Sequence, residues 1–555
     1  MPSKLRIGIL TDGDTVPAWA YRMIEEIIRS QTAEICLIIK NEGQVASAAP
    51  ARPLPLRIWN NRKKLLYILY GKFDRKKFKP SPDAFEPRLL TELVQTDSIT
   101  VSPIRKKFSD TFREADVTHI KKFRLDLIIR LGFRILRGGV LQAAAQGIWS
   151  YHHGNNRVNR GGPPGFWEVM EQWPETGALL QILSEDLDNG FVLEDYASTT
   201  YKKSVAENQN NYFWKAASIL PDKVRELHQM GPEAFIARHR PLNEHPRFYS
   251  NRLFIEPGNR EMLSGIWKLI LNKIKWEINN VFHLDQWCLL FHLGQDRSPA
   301  TSFHRFKRLL PPKDRFWADP HALHRNGRYY IFFEELLYKD NKGFISLIEL
   351  DEKGNATPAR TVLERPYHLS FPFLFESGQE LFMIPETHAN RTIELYRCAQ
   401  FPDQWTLAQT LIGGVNAVDT TVWQEGETYY LFTTLQRQEG SADHDELHIF
   451  FADKLTTSEW RPHPMNPVVR DVKTGRQAGK MFRLNDKLYR MAQDGSKHYG
   501  YCMHLLEIEK LSKTEFREKK VDTVLPQWAP DVIATHTYNH VGQLTVIDAM
   551  IRRRK

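Results

Sequence analysis

Two sets of side chains in this sequence have the types and spacing to do chemistry. Residues 147–168 read GIWSYHHGNNRVNRGGPPGFWE, so His152 and His153 follow a short apolar run and precede a loop of Asn, Arg, Gly and Pro. That composition predicts a strand that ends in a long polar loop. Residues 177–193 are a second apolar run closing in Leu187-Asp188-Asn189-Gly190, a carboxylate and a turn together. A carboxylate at Asp188 that reaches His152 would hold the imidazole in one tautomer, as a general acid/base requires. The C-terminal half carries the other set, Asp319, Glu334, Glu335, Glu386, Asp419 and Asp531, at or beside the starts of expected strands. Facing carboxylates serve glycoside chemistry. Acidic residues in such turns also cap strands or pair with arginine.

The elements that must position these groups differ between the two halves. Residues 5–10 form a near-continuous apolar strand, 18–30 have helical periodicity and 34–39 form a second buried strand, an order that predicts a parallel sheet with crossover helices. The Thr11-Asp12-Gly13-Asp14 turn has a single glycine and lacks the dinucleotide fingerprint. Residues 41–110, rich in Pro, Arg and Lys, read as an irregular insertion with a short helix. A strand over 125–133 runs on into a helix ending near Gly138-Gly139, and a helix around Gln142 feeds the strand of Ile148 and Trp149. The histidines therefore fall at the carboxyl end of a parallel strand, where open α/β sheets build sites. Helices are expected over 204–220 and 223–230, and a long amphipathic one over 262–283.

From about residue 306 the chain repeats. Five units of roughly fifty residues each pair a short strand with an aromatic-rich second strand, as in FWADP followed by GRYYIFF and AVDTT followed by ETYYLF. The pattern predicts the blades of a propeller, with a strand at 286–293 closing the last. The expected architecture is multidomain: an α/β Rossmann-like open parallel sheet over 1–240, a helical linker over 241–305 and an all-β five-bladed propeller over 306–555.

The first half resembles the formyltransferase family of methionyl-tRNA and sugar N-formyltransferases. His152 matches the family histidine, Arg160-Gly161-Gly162-Pro163-Pro164 its loop end, and Leu187-Asp188-Asn189-Gly190 its last element, while Ser150 stands where the family has asparagine. The resemblance implies catalysis by His152 and Asp188, with Ser150 at the oxyanion position, or Asn155 or Asn156 reaching back to it. It implies 10-formyltetrahydrofolate held by Leu131, Gly132, Phe133 and Asp186, and an acceptor loop of His153, Asn155, Asn156, Arg160 and Gly161. His153 becomes the working imidazole if the register shifts by one. The second half resembles five-bladed propellers of glycoside-hydrolase type, and more closely the N-terminal domain of plant glucosamine inositolphosphorylceramide transferase, through FWADP, YYIFFEE, HLSFPF, MIPE and AVDT. Asp319, Glu335, Glu386 and Asp419 are its candidate site residues. The implied activity is formyl transfer to an amino sugar or sugar nucleotide beside a propeller that binds a glycan or glycolipid. The alternative is glycosidase- or glycosyltransferase-type chemistry, or carbohydrate binding, on the propeller beside an inactive first domain.

Composition bounds these readings. At 555 residues the chain exceeds a single core. A net charge of +10 favours an anionic partner such as a sugar nucleotide or a membrane surface. Four scattered cysteines lack disulfide or zinc spacing, so no metal is expected and a reducing, cytoplasmic setting fits. Residues 62–73, RKKLLYILYGKF, offer peripheral contact with an anionic membrane. No basic stripe with interleaved aromatics points to nucleic acid.

Overall fold

Residues 3–42, 59–187 and 189–555 are described by the computed structural model, and the chain divides into two units, residues 1–270 with 437–442 and residues 271–436 with 443–555. Asp188 therefore lies outside the described residues.

The first unit is built on β1 (Leu5–Thr11), β2 (Ala33–Asn41), β3 (Ser98–Val101), β4 (Leu127–Arg130), β5 (Ile148–His152), β6 (Glu175–Ile182) and β7 (Phe191–Thr199). They lie in the order β7-β6-β5-β4-β1-β2-β3, with β1 to β5 parallel and β6 and β7 antiparallel at one edge. The unit's main helices are α1 (Ala18–Arg29), α2 (Leu65–Phe78), α3 (Val205–Met230) and α4 (Asn259–Phe282), the last continuing across the boundary at residue 270. Ile7, Ile9, Leu127 and Ile129 face a core shared with α1 and α3, while Leu10, Leu37, Ile39 and Ile128 face a second core. Both faces are covered, which is why the central strands are unbroken apolar runs.

Three local expectations change. Ser98–Val101, assigned to an irregular insertion, is an edge strand, and only Val101 in it is buried, so it has no apolar run to read. Past β4 there is no helix: the chain makes a short strand at Ile135–Arg137 and a 3₁₀ turn at Gly139–Gln142, separated by Gly138 at a φ of 78°. The two helices expected after residue 204 are one, α3, with Pro221 inside it. Ser204 caps its start by accepting the Glu207 N–H at 3.1 Å, and burial of most of its length outweighs the bond that Pro221 cannot make.

The second unit contains five antiparallel sheets of four or five strands among the described residues. The strands that matter here are β8 (His283–Leu293), β9 (Arg315–Arg325), β10 (Ser370–Ser377), β11 (Ala417–Glu425), β12 (Arg476–Gln477) and β13 (Leu544–Arg554). β8 pairs with β13 from end to end, His283 opposite Arg554 and Leu293 opposite Leu544. The stretch 241–305 is thus not a helical linker throughout: Trp287 to Phe291 are buried, and β8 belongs to the second unit. Beginning with β9, β10, β11 and β12, the remaining four sheets follow in chain order.

One irregularity recurs at equivalent places. The pairing of β9, β10 and β11 with their following strands skips between Ala318 and His321, Ser370 and Phe373, and Val418 and Thr421. Inside each bulge sits a left-handed residue, Asp319 (φ 52°), Phe371 (φ 42°) and Asp419 (φ 49°). Holding an L-residue there costs about 1–3 kcal/mol, so three such residues in register mark a site rather than an accident of packing.

Candidate functional site

In the second unit two of the three bulges, those of Asp319 and Asp419, aim their side chains at one buried centre, while Phe371 joins the apolar core. The Asp319 N–H donates to Asp548 Oδ2 at 3.0 Å, and its Oδ1 accepts from Thr537 Oγ1 at 2.8 Å. Asp548 Oδ1 also takes the backbone N–H groups of His536 (2.9 Å) and Thr537 (3.0 Å), and its Oδ2 meets His536 Nδ1 at 2.6 Å. Across the centre, the Asp419 N–H donates to Glu386 Oε2 at 3.2 Å, while the Asp419 carboxylate receives Arg476 through Nε and Nη2 and Gln493 Nε2 at 2.6 Å. Arg476 lies 3.8 Å from Glu386 and under the ring of Tyr499, 5.2 Å from its centroid. Tyr499 stands edge-on to His536 at 5.5 Å, and Trp287 stacks on the other side of that imidazole at 4.1 Å. Each of the five sheets, or the turn leading into it, contributes a residue. Tyr499 is 52 % exposed and forms the border with solvent.

Electrostatics sort these groups by proton. Burial, then repulsion by Asp419, holds the Glu386 carboxyl well above the ordinary carboxylate range. Burial likewise raises Asp319, helped by Asp419, Glu334 and Asp548 and opposed by His536. Arg476 stays charged despite burial, because Asp419 and Glu386 outweigh it. For His536 burial lowers the pKa, but Asp548 and Asp319 win and lift it to about 9. This is a folded-state value above the ordinary one near 6.5. The imidazolium therefore stabilises the second unit fully below about pH 6.5, and that contribution is lost as pH rises through about 9. Thermal unfolding followed from about pH 6.5 to about pH 10 should show a midpoint that falls more steeply in the native protein than in His536→Gln.

Of the carboxylates expected from sequence, Asp319, Glu386 and Asp419 meet here. Glu334 lies at the border, paired with His368 Nε2 at 3.1 Å. Glu335 does not join them: it accepts from Arg315 (2.9 Å) and Ser346 (2.6 Å), because adjacent residues of one strand face opposite ways. Asp531 forms a two-bond pair with Arg308 at 2.6 and 2.9 Å, the arginine-paired alternative. Asp548, His536, Arg476 and Tyr499 were not singled out in the sequence, and only His536 beside two threonines carried a local polar signal.

In the first unit, His152 closes β5 and its Nε2 donates to the Asn159 carbonyl at 3.1 Å. That contact fixes the Nε2–H tautomer and gives the ring an orienting acceptor. Ser150 is buried, and its Oγ accepts from Arg130 Nη1 at 3.1 Å. Arg130, at the end of β4, also donates to the carbonyls of Phe133 and Arg134, and its Nε is buried without a hydrogen-bond partner. The Ser150 hydroxyl in turn donates to the Tyr151 carbonyl at 3.2 Å, so at the position where formyltransferases carry an asparagine amide the group with an uncommitted N–H is the Arg130 guanidinium. Asn159 Nδ2 in turn faces Glu168 Oε1 at 3.4 Å, and burial pushes the Glu168 carboxyl up to about 7. Neither Arg130 nor Glu168 was expected, although Glu168 ends the loop stretch that the sequence brings forward.

The remaining loop residues are structural in several respects. His153 sits among Trp19, Tyr151, Tyr212 and Phe213, stacked on the last at 4.0 Å, and burial drops its pKa to about 3, so it stays neutral. Asn155 accepts the Arg157 N–H at 2.9 Å, and the Asn156 carbonyl accepts Arg160 Nε at 3.0 Å. Arg160 also donates to the Arg247 carbonyl. At Gly161 a Cβ would fall 1.8 Å from the Phe254 carbonyl oxygen, so the segment 247–254 lies directly on this loop. Asp186 is exposed, in the turn that Ser184 closes through its Oγ at 2.9 Å.

A folate would have to be met by the turn after β4. Leu131 and Gly132 both donate their N–H to Leu10 O, at 2.9 and 3.1 Å, and the Phe133 N–H donates to Asp12 at 2.9 Å. Phe133 itself packs on Phe112 at 5.2 Å. The three N–H groups of the turn are thus all taken within the protein, and its Phe133 carbonyl already accepts from Arg130.

An α/β unit with a histidine at the mouth of its parallel sheet, followed by an antiparallel unit around a buried acidic centre, is the class these observations define. Residues 310–539 match the family model described as glucosamine inositolphosphorylceramide transferase 1, N-terminal. Glucosamine inositolphosphorylceramide transferase 1 of Oryza sativa subsp. japonica is 31% identical over 210 residues, 37% of this chain and 28% of that protein, and the Arabidopsis thaliana protein of the same name is 31% identical over 209 residues, 37% and 27% of the two chains. The chain thus spans little more than a quarter of the length of these curated relatives. Among solved structures, glycinamide ribonucleotide transformylase 1 from Symbiobacterium toebii overlaps 41% of this chain and 88% of its own at 14% identity, with a TM-score of 0.27. At that score the superposition has no bearing on function.

Proposed function

We propose that the second unit is a five-bladed propeller that binds the sugar moiety of a glycan or glycolipid at the Asp319–Glu386–Asp419 centre. The observation that carries this reading is the meeting of three carboxyl groups, an arginine and an imidazolium from successive sheets beneath the half-exposed ring of Tyr499. Sugar hydroxyls need both acceptors and donors, and the arginine-paired Asp419 oxygens beside a protonated Glu386 supply both. An aromatic face at the rim suits the apolar face of a pyranose. The relatives matched over 310–539 bear the name of a transferase for a glucosamine-containing lipid, which agrees with this ligand class. Ligand-observed NMR with glucosamine, N-acetylglucosamine and inositol glycosides tests it: at least one should bind, and Asp319→Asn and Tyr499→Ala should each weaken binding by about tenfold, the worth of one or two buried hydrogen bonds. Equal binding by all three proteins, or none by the native one, would sink the reading.

For the first unit we propose transfer of a formyl group from 10-formyltetrahydrofolate to the amine of an amino sugar. What supports it is His152 at the carboxyl end of β5 beside Arg130, whose Nε is buried without a hydrogen-bond partner. His152 would take the proton of the attacking amine and pass it to the folate nitrogen as the bond from that nitrogen to the formyl carbon breaks, and Arg130 would donate to the carbonyl oxygen as charge builds on it. The folate supplies an already activated formyl group. Together the two units make a cytoplasmic sugar-modifying enzyme in which one unit holds the glycan and the other works on an amine.

A further inference from the structure

Helix α4 has two apolar sides and only one of them is used. Met262 and Gly265 are its buried residues, and a Cβ at Gly265 would meet Met170 Sδ at 2.8 Å, so this side lies against the first unit. On the other side Leu263, Trp267, Ile270, Ile274, Ile278 and Val281 are each 43 to 64 % exposed. Their spacing of three and four residues puts them in one stripe along about five turns. Solvent-facing stripes of that size mark interaction surfaces. Arg260, Lys268, Lys273 and Lys275 outnumber Glu261 and Glu277 on the helix, and Glu261 is already occupied by Arg252 at 2.6 Å.

Helix α2 repeats the composition. Trp59, Leu69 and Phe73 are 52 to 63 % exposed, Arg62-Lys63-Lys64 precede the helix, and Lys72, Arg75, Lys76 and Lys77 lie on it. Its one acid, Asp74, is turned inward to Ser204 (3.0 Å) and the Ala206 N–H (2.7 Å). Asn259 holds the two helix starts together, accepting the Leu66 N–H at 3.0 Å and donating to the Arg62 carbonyl at 2.6 Å. Between them lies a cleft of about 540 Å³ lined by Asn60, Arg62, Lys63, Lys64, Ile255 and Glu256, among others, in which Glu256 pairs with Lys64 at 2.6 Å and leaves Arg62 and Lys63 as the excess positive charge.

The geometry points to an anionic lipid bilayer as the occupant: α4 and α2 lie in the plane of a membrane, their apolar side chains among the acyl chains and the Arg62–Lys64 cleft at the level of the phosphates. No helix among the described residues is long and apolar enough to cross a membrane, so the contact is peripheral. The charge selects lipid over a second copy of the chain, because two copies of this surface would set like charges face to face, whereas each lysine or arginine near an anionic leaflet contributes about 1 kcal/mol.

Co-sedimentation of the full chain with vesicles tests this, comparing phosphatidylcholine alone with phosphatidylcholine containing about one third phosphatidylserine. The bound fraction should rise several-fold with phosphatidylserine and fall with added salt. The triple substitution Trp267→Ser, Ile270→Ser and Ile274→Ser should reduce it about tenfold or more, as should Lys63→Glu with Lys72→Glu, with melting temperatures unchanged because all five residues are at the surface. Binding that ignores the anionic lipid, or no binding, overturns the proposal. So does a native dimer that the triple substitution dissociates, which would assign the stripe to self-association.

Discussion

Arg476→Ala is expected to take about 3–4 kcal/mol from the stability of the second unit. Arg476 is 9 % exposed and bonds Asp419 through two nitrogens, so its removal leaves that carboxylate buried with Gln493 as its remaining side-chain donor and Glu386 beside it. Protonation sets a ceiling. A carboxyl of ordinary pKa near 4 can be neutralised at pH 7 for about 4 kcal/mol, so the folded variant gives up no more than that before Asp419 takes a proton instead. The deficit should therefore shrink as pH falls towards 4, since the variant's raised Asp419 makes its folded state bind a proton that the unfolded chain binds only at lower pH. Arg476→Lys keeps the charge and loses the fork, and should fall in between. Asp419→Asn in the Arg476→Ala background should recover much of the loss. Chemical denaturation of the four proteins at pH 7 and about pH 4.5 decides it, and a loss independent of pH would mean that packing rather than charge is responsible.

The second large effect is on turnover in the first unit. With 10-formyltetrahydrofolate and a panel of nucleotide-linked amino sugars, His152→Ala should reduce tetrahydrofolate release by about 10²–10⁴, the usual worth of a positioned acid/base. Its stability should change little, because the ring is only half-buried at the end of β5. Asp319→Asn should leave the release rate unchanged. Glu168→Gln offers a finer test: Glu168 acts on His152 only through Asn159, so the substitution should move the pH profile of the rate rather than abolish it. Native protein that releases no tetrahydrofolate with any amine would remove formyl transfer from consideration and leave the sugar-binding reading of the second unit intact.

What was legible in the sequence follows from how local the cause is. β1 and β2 are buried on both faces and read as apolar runs, and His152 at a strand end needed only the composition of the next dozen residues. The five β units were visible because each repeats a strand and an aromatic partner, and Asp319 and Asp419 stood at matching points of that repeat, with Glu386 on the second strand of the unit between them. The partners that set their protonation were not legible. Arg476 reaches Asp419 across 57 positions and Asp548 reaches the Asp319 N–H across 229, through register between sheets that no local pattern encodes. Pro221 misled for the opposite reason, since a strong local breaker was overridden by burial on α3.

The β8–β13 pairing sets an order of events during synthesis. β8 is made some 250 residues before its partner, so its sheet cannot be completed on the ribosome until residues 544–554 emerge. Asp548 lies on that later strand. The acidic centre therefore cannot be assembled before this strand is made, and a nascent chain halted short of it would hold an unzipped β8 and no competent pocket.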